Sequence, residues 1–272
     1  MKTAEERLDI DDLVSYVKSE TGFDLTKYRP TTLNRRVSHR QFALGLGDLH
    51  DYILYLYANP SELKNITDST TIHVTEFFRD LDVFDYFPSK LLPAVVERKK
   101  GRDADDIRVW SAGCSTGQEA YSISILLDKF LKNYKIEAEV IGTDISQKAC
   151  NSAKRAIYSE KEVECLPENI IRKYFRKSEN GYTVIERIRE KTSFFAHDLF
   201  SSPRFSGFDM VVCRNVLIHF KRDYRGEVID SFYSVLNDSG LLILGKSEAL
   251  SKVWKDKFKL LNPSMKVYQK IT

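Results

Sequence analysis

Residues 108–127 read RVWSAGCSTGQEAYSISILL, an apolar run that ends in a turn of small residues and continues as a helix-forming stretch. Gly113 and Gly117 in that turn let the backbone approach a ligand closely, and a helix starting just after it aims its free N–H groups the same way. The spacing S-A-G-C-S-T-G is neither the G-x-G-x-x-G of dinucleotide-binding turns nor a P-loop, because no Lys stands where a triphosphate would need one. By itself the stretch also fits a purely structural strand-to-helix turn, so its neighbours decide the reading.

Further along, EVIGTDIS (139–146) brings Asp144 to the tip of a second strand. A carboxylate there is placed to accept from both hydroxyls of a ribose, with capping of the helix after Ser146 as the alternative role. A third strand, TSFFAHD (192–198), ends at Asp198 and Leu199, an acceptor for an adenine amine next to an apolar surface for its ring. Glycine turn and two acidic strand tips, in that order, point to a bound nucleoside.

The strands FDMVVCRN (208–215), GLLILG (240–245) and MKVYQK (265–270) continue the pattern. Helical stretches at Glu119–Leu131, Gln147–Arg155, Glu168–Phe175 and Arg222–Leu236 lie between strands. Such alternation predicts an α/β domain, a mostly parallel sheet covered on both faces. Within it, KSENGYTVIERIREK (177–191) has the turn signal Asn180-Gly181 and strand-like Tyr182, Val184 and Ile188, which predicts a small β-hairpin insertion around 177–190.

Residues 1–82 read instead as a small all-helical domain, leaving 83–272 for the α/β domain. In KYRPTTLNRRVSHRQFALGLG (27–47), Thr31 or Thr32 is placed to cap a helix after Pro30, with Leu33, Val37, Phe42 and Leu44 inward and Gly45 or Gly47 ending it. Its outer face would carry Arg35, Arg36, His39 and Arg40. A helix over Leu49–Tyr57 stops at Asn59-Pro60, and another begins at Ser61-Glu62.

Composition sets the outer bounds. With 272 residues, 42% hydrophobic and 30% charged, and only 12 Gly and 7 Pro, the chain is an ordinary globular protein rather than a disordered or fibrous one. Apolar runs such as Leu241–Leu244 are far too short to span a bilayer, and MKTAEERLDIDD lacks a signal-peptide core, so a cytoplasmic protein is expected. Four cysteines without a C-x-x-C pair suggest reduced thiols, neither disulfides nor a metal site. A net charge of +3, from 42 basic and 39 acidic residues, is too balanced to make nucleic acid the default partner.

Four motifs together resemble one family. V-T-E-F-F-R-D (74–80), W-S-A-G-C-S-T-G-Q-E-A-Y-S (110–122), C-R-N-V-L-I-H-F (213–220) and G-K-S-E (245–248) are similar, in this order, to the chemotaxis-receptor glutamate methyltransferase (CheR) family. The resemblance covers essentially the whole chain. It implies a Rossmann-like class I methyltransferase sheet, S-adenosylmethionine as cofactor, and methyl esterification of glutamates in the cytoplasmic helical region of chemoreceptors. The cofactor contacts it implies are His73, Thr75, Arg79, Gly113, Glu119, Asp144, Asp198, Leu199, Asn215 and Val216. Arg79, Arg214 and His219 form the candidate catalytic set, and the Arg35, Arg36, His39 and Arg40 face would meet the acidic receptor helices.

Some positions depart from the family pattern: His73 stands where Asn is common, His219 where Tyr is common, Lys246 replaces the His of G-H-S-E, and Asp198 replaces a common Asn. The segment Arg176–Gly181 has a single Gly and looks shortened, which disfavours tethering through a C-terminal receptor peptide. A monomer is expected. The rivals are an RNA methyltransferase, which the near-neutral charge and the lack of an N-P-P-Y-type motif disfavour, and a non-catalytic scaffold of the same fold. The sparse catalytic set suits the chemistry, because a glutamate of pKa about 4.3 is already a carboxylate at neutral pH and needs no general base.

Overall fold

A computed structural model describes residues 8–70, 75–100 and 106–271. The chain divides into two compact units, Met1–Ile72 with Ile218–Arg225, and His73–Leu217 with Gly226–Thr272.

In the smaller unit, α1 (Ile10–Thr21), α2 (Pro30–Leu44), α3 (Leu49–Ala58) and α4 (Ser61–Thr70) pack around Leu13, Val17, Leu33, Val37, Tyr52, Ile53 and Ile66. Asp9 closes a capping box on α1, and Pro30 opens α2 at its first position, where the missing N–H costs nothing. Neither Thr31 nor Thr32 caps α2: Arg29 occupies the cap position and makes no side-chain cap bond. Gly45, at φ +68°, ends the helix as expected. Phe42 does not turn inward but is 88% exposed, because it lies in the last turn beyond the buried stripe of Thr32, Leu33 and Val37.

The larger unit begins with α5 (Leu81–Tyr86) and α6 (Leu92–Lys100), then β1 (Asp106–Ala112), α7 (Gln118–Phe130), β2 (Glu137–Asp144) and α8 (Gln147–Arg155). An insertion follows, consisting of β3 (Ile157–Tyr158), α9 (Glu160–Val163), α10 (Glu168–Tyr174), β4 (Phe175–Ser178), β5 (Gly181–Val184) and α11 (Glu186–Arg189). The main sheet resumes with β6 (Thr192–Ala196) and β7 (Phe208–Cys213), then α12 (Arg225–Val235), β8 (Leu236–Leu244), β9 (Phe258–Asn262) and β10 (Val267–Lys270). Seven strands run in the order β6-β2-β1-β7-β8-β10-β9, parallel from β6 to β8, with β10 antiparallel to both its neighbours. This is a doubly wound, mostly parallel α/β sheet.

All of β7, FDMVVC, is buried, as a parallel strand covered on both faces should be. Val109 packs in one cluster with Leu92, Val95, Ile123 and Leu127 from α6 and α7. Trp110, one residue on and so on the opposite face, meets Phe205, Phe208 and Phe232, and its indole N–H is satisfied by Thr143 Oγ1 at 2.9 Å. Residues 75–82 belong to this unit, not to the helical one, since Phe77 lies edge-on to Tyr158 and Phe175 and Phe78 to Phe84. The insertion is a three-stranded sheet, β3-β5-β4; Ile188 is helical, and it is buried from α11 rather than from a strand. Among the described residues no helix is long and apolar enough to cross a membrane.

Candidate active site

The chain winds outward from β1 through β2 to β6, then returns to lay β7 on the other side of β1. The carboxyl ends of β1 and β7 therefore flank the switch point where open α/β sheets bind ligands. Gly113 continues β1 at φ +80°, and a Cβ there would meet Val216 Cγ2 at 2.5 Å. Only glycine lets the β1 and β7 loops come this close. The amides of Gly113 and Cys114 both donate to Thr143 O at 2.8 Å, tying the turn to β2. Gly117, at φ +98°, seats the start of α7 where a Cβ would lie 2.9 Å from that of Ala153.

Asp144 is buried at the end of β2. Its two oxygens accept from Ser115 N (2.9 Å) and Ser146 N (3.0 Å), so the carboxylate clamps the glycine turn and the entry to α8. The helix cap itself is Ser146, whose hydroxyl accepts from Ala149 N. Just past the adjoining strand β6, Asp198 accepts from Phe200 N at 3.0 Å and Leu199 is buried beside it. His197 N donates to Asp144 O at 3.0 Å, which brings the two acidic tips into register. Two carboxylates, an apolar side chain and a glycine turn at one end of the sheet suit a nucleoside, with acceptors for a diol and an amine and a face for the ring.

Behind these tips lies an ionic hub that sequence reading showed only as separate residues. Arg214 follows β7 with its side chain 2% exposed. It pairs with Asp80, donates to Arg79 O at 2.9 Å, and lies 3.5 Å from Glu119 Oε2. Its guanidinium is thus engaged by the chain itself and ties down the segment carrying Arg79. Glu119 also accepts from Ser111 Oγ at 2.8 Å. Burial raises its pKa, while Arg214, Ser111 and Arg79 pull the other way. Thr75, half-buried, precedes this segment. His73 lies outside the described residues.

Asn215 is held at φ +60°, a left-handed conformation uncommon outside glycine, by Glu248 Oε2 accepting from its N–H at 3.0 Å. The same oxygen accepts from Gly245 N at 2.7 Å. Glu248 was legible only as the last letter of G-K-S-E; its work is to join the β8 turn to the β7 turn. Phe78, Asp80 and Ser115 share the positive φ, so strained backbone collects around this end of the sheet. Lys246, in the family's His position, pairs with Asp82 at 2.6 Å.

In the smaller unit, His219 lies in the 217–219 turn, and its carbonyl accepts from Arg29 N at 2.9 Å. Burial first, then Arg35, Arg36 and Arg29, lower its pKa to about 4, so the ring is neutral at pH 7. Arg35 and His39 are exposed and Arg36 is half-buried. Arg40 does not join the cationic face: it forms a two-pronged pair with buried Glu62, at 2.7 and 2.8 Å, which Tyr52 and Asn65 also bond.

The family model described as CheR methyltransferase, SAM binding domain, matches residues 73–267, and that described as CheR methyltransferase, all-alpha domain, matches residues 8–71. The chain is 31% identical over 245 residues to an uncharacterized 104.1 kDa protein in hypE 3'region of Rhodobacter capsulatus, covering 89% of this chain but only 25% of that one. It is 27% identical over 249 residues to a chemotaxis protein methyltransferase of Borreliella burgdorferi, covering 89% and 88% of the two chains. With chemotaxis protein methyltransferase 2 of Vibrio cholerae it shares 29% over 245 residues, 88% and 84% of the two.

Proposed function

Because the chain belongs to the CheR methyltransferase family, we propose that it esterifies glutamate side chains on the cytoplasmic helices of chemoreceptors. S-adenosylmethionine is its cofactor and methyl transfer its activity. The observation that carries the substrate reading is the face of α2, which bears Arg35, Arg36 and His39 and contains no acidic residue in any turn. Helices rich in glutamate would be drawn to it.

When bound, the sulfonium supplies both the methyl group and its own leaving group. The chain's residues supply placement. Asp144 would accept from the ribose, Asp198 and Leu199 would take the adenine, and the close approach of Gly113 and Val216 would bound the cofactor's place at the switch point. Arg79, its carbonyl fixed by Arg214, orients the substrate carboxylate, an effect worth several kcal/mol when the reacting atoms are aligned. No base is required, since the substrate glutamate is already ionised at neutral pH.

Labelled cofactor should leave base-labile methyl in receptor protein; label in RNA, or none in either, would overturn the reading. Replacing Arg35 and Arg36 by Ala, with Arg40 kept because it serves Glu62, should slow transfer by about tenfold at low salt and leave cofactor affinity alone. The wild-type rate should fall with salt, as exposed charges are screened beyond about 8–10 Å. A salt-independent rate would remove this face from the mechanism.

His219 gives a pH prediction. With its pKa lowered to about 4, it contributes stability that is present above its unfolded value of about 6.5 and is lost as pH falls through about 4. Single-turnover rates should be flat from about pH 6 to 8, with no histidine inflection. An inflection that disappears in His219→Tyr would put the imidazole into the chemistry.

A further inference from the structure

Residues 250–271 concentrate positive charge. They hold Lys252, Lys255, Lys257, Lys259, Lys266 and Lys270 against one acid, Asp256, a net of +5, while the whole chain carries only +3. Everything else together is slightly acidic. Two of these lysines are used inside the fold: Lys257 pairs with Asp230 at 3.0 Å, and Lys270 donates to the carbonyls of Tyr233 and Leu236. The other four form no ion pair among the described residues. Lys252, Lys255 and Lys259 are exposed and Lys266 is half-buried.

Their placement gives this charge a shape. Lys252 belongs to a short 3-10 turn, Lys252–Trp254, with Lys255 at its end; Lys259 is on β9, and Lys266 is on the turn from β9 to β10. β9 is the outermost strand on its side of the sheet. Aliphatic side chains stand among the cations, with Val253 76%, Leu260 47% and Leu261 41% exposed.

Lysine on an edge strand is a common guard against edge-to-edge pairing, which accounts for Lys259 alone. It does not account for three exposed aliphatics between the lysines. An extended acidic peptide added to β9 would use that strand's outer backbone groups and leave Lys252, Val253 and Lys255, which lie off the strand, without a role. A surface that is both anionic and able to accept aliphatic side chains engages all of them.

We infer that this margin of the sheet docks on an anionic lipid bilayer. Lys252, Lys255, Lys259 and Lys266 meet the headgroups, and Val253, Leu260 and Leu261 enter the boundary between headgroups and acyl chains. The lysine stems add apolar cover while their ammonium groups stay in the headgroup layer. This goes beyond the methyl-transfer reading, because it needs neither cofactor nor receptor.

The test is sedimentation of the full chain with vesicles of equimolar phosphatidylserine and phosphatidylcholine, against phosphatidylcholine alone. Binding is expected only to the anionic vesicles, weakening with salt. Each Lys→Gln change at 252, 255 or 259 should lower the partition about fivefold. Leu260→Ser with Val253→Ser should lower it further at unchanged charge, and cofactor affinity should stay as in the parent as a check on folding. Equal binding to both vesicle types, no binding to either, or binding untouched by these variants would overturn the proposal. So would capture of a soluble poly-glutamate peptide as tightly as the anionic vesicles, which would make the margin a peptide site.

Discussion

Replacing Arg214 by Met should abolish methyl transfer and destabilise the fold by about 3–5 kcal/mol, the usual cost of leaving a buried charge without its partner. The guanidinium is 2% exposed and bridges Glu119, Asp80 and the carbonyl of Arg79. A methionine fills much of the same volume but satisfies none of them. Glu119, whose pKa burial already raises, would then rise further and take up a proton. A carboxyl raised in the folded state binds protons more tightly there than in the unfolded chain. The variant's stability should therefore fall as pH rises from the ordinary carboxylate range through the raised value. Adding Glu119→Gln should restore much of the thermal midpoint and none of the activity. A single variant as stable as the parent would mean that the carboxylates reach water, and that Arg214 is not a hub.

Asp144→Ala is expected to weaken cofactor binding by one to two orders of magnitude for each charge-assisted bond lost, from about 1.5–3 kcal/mol per bond. Two ribose hydroxyls would lose their acceptor, and the Ser115 and Ser146 amides would lose theirs as well. Calorimetry with S-adenosylmethionine, run beside thermal melting, separates the two roles. A lower midpoint with unchanged affinity would leave Asp144 as a loop clamp and place the nucleoside elsewhere.

The strands and helices along the chain were legible because most β-rich runs, from IRVWSA to MKVYQK, are bounded by turn residues and several are separated by helical stretches. β9 was missed because FKLLN has no periodicity that tells a short edge strand from a loop, and its residues are largely exposed. The strand tips carrying Asp144 and Asp198 were readable for the same reason as the fold, since both follow directly from where a strand stops. Arg214 stood in the candidate catalytic set without its partners, because Asp80 and Glu119 are distant in sequence and converge on it only in the folded chain. Arg40 shows the same limit: nothing in RRVSHRQ separates it from Arg35 and Arg36, and only the fold of α4 against α2 brings Glu62 to it. The buried pair of Lys99 with Asp209, 2.9 Å apart, left no mark in the sequence either.

Residues 218–225 return to the smaller unit from the middle of the larger unit's chain, with Tyr28 bridging to Phe220 and packing against its ring. The helical unit is therefore not a bead on a string. A recombination event with a single breakpoint near residue 72 would transplant its helices without the octapeptide that completes them. Exchange of the helical unit between relatives must then keep two distant stretches matched, so its basic α2 face and the strand-to-helix connection after β7 are inherited together.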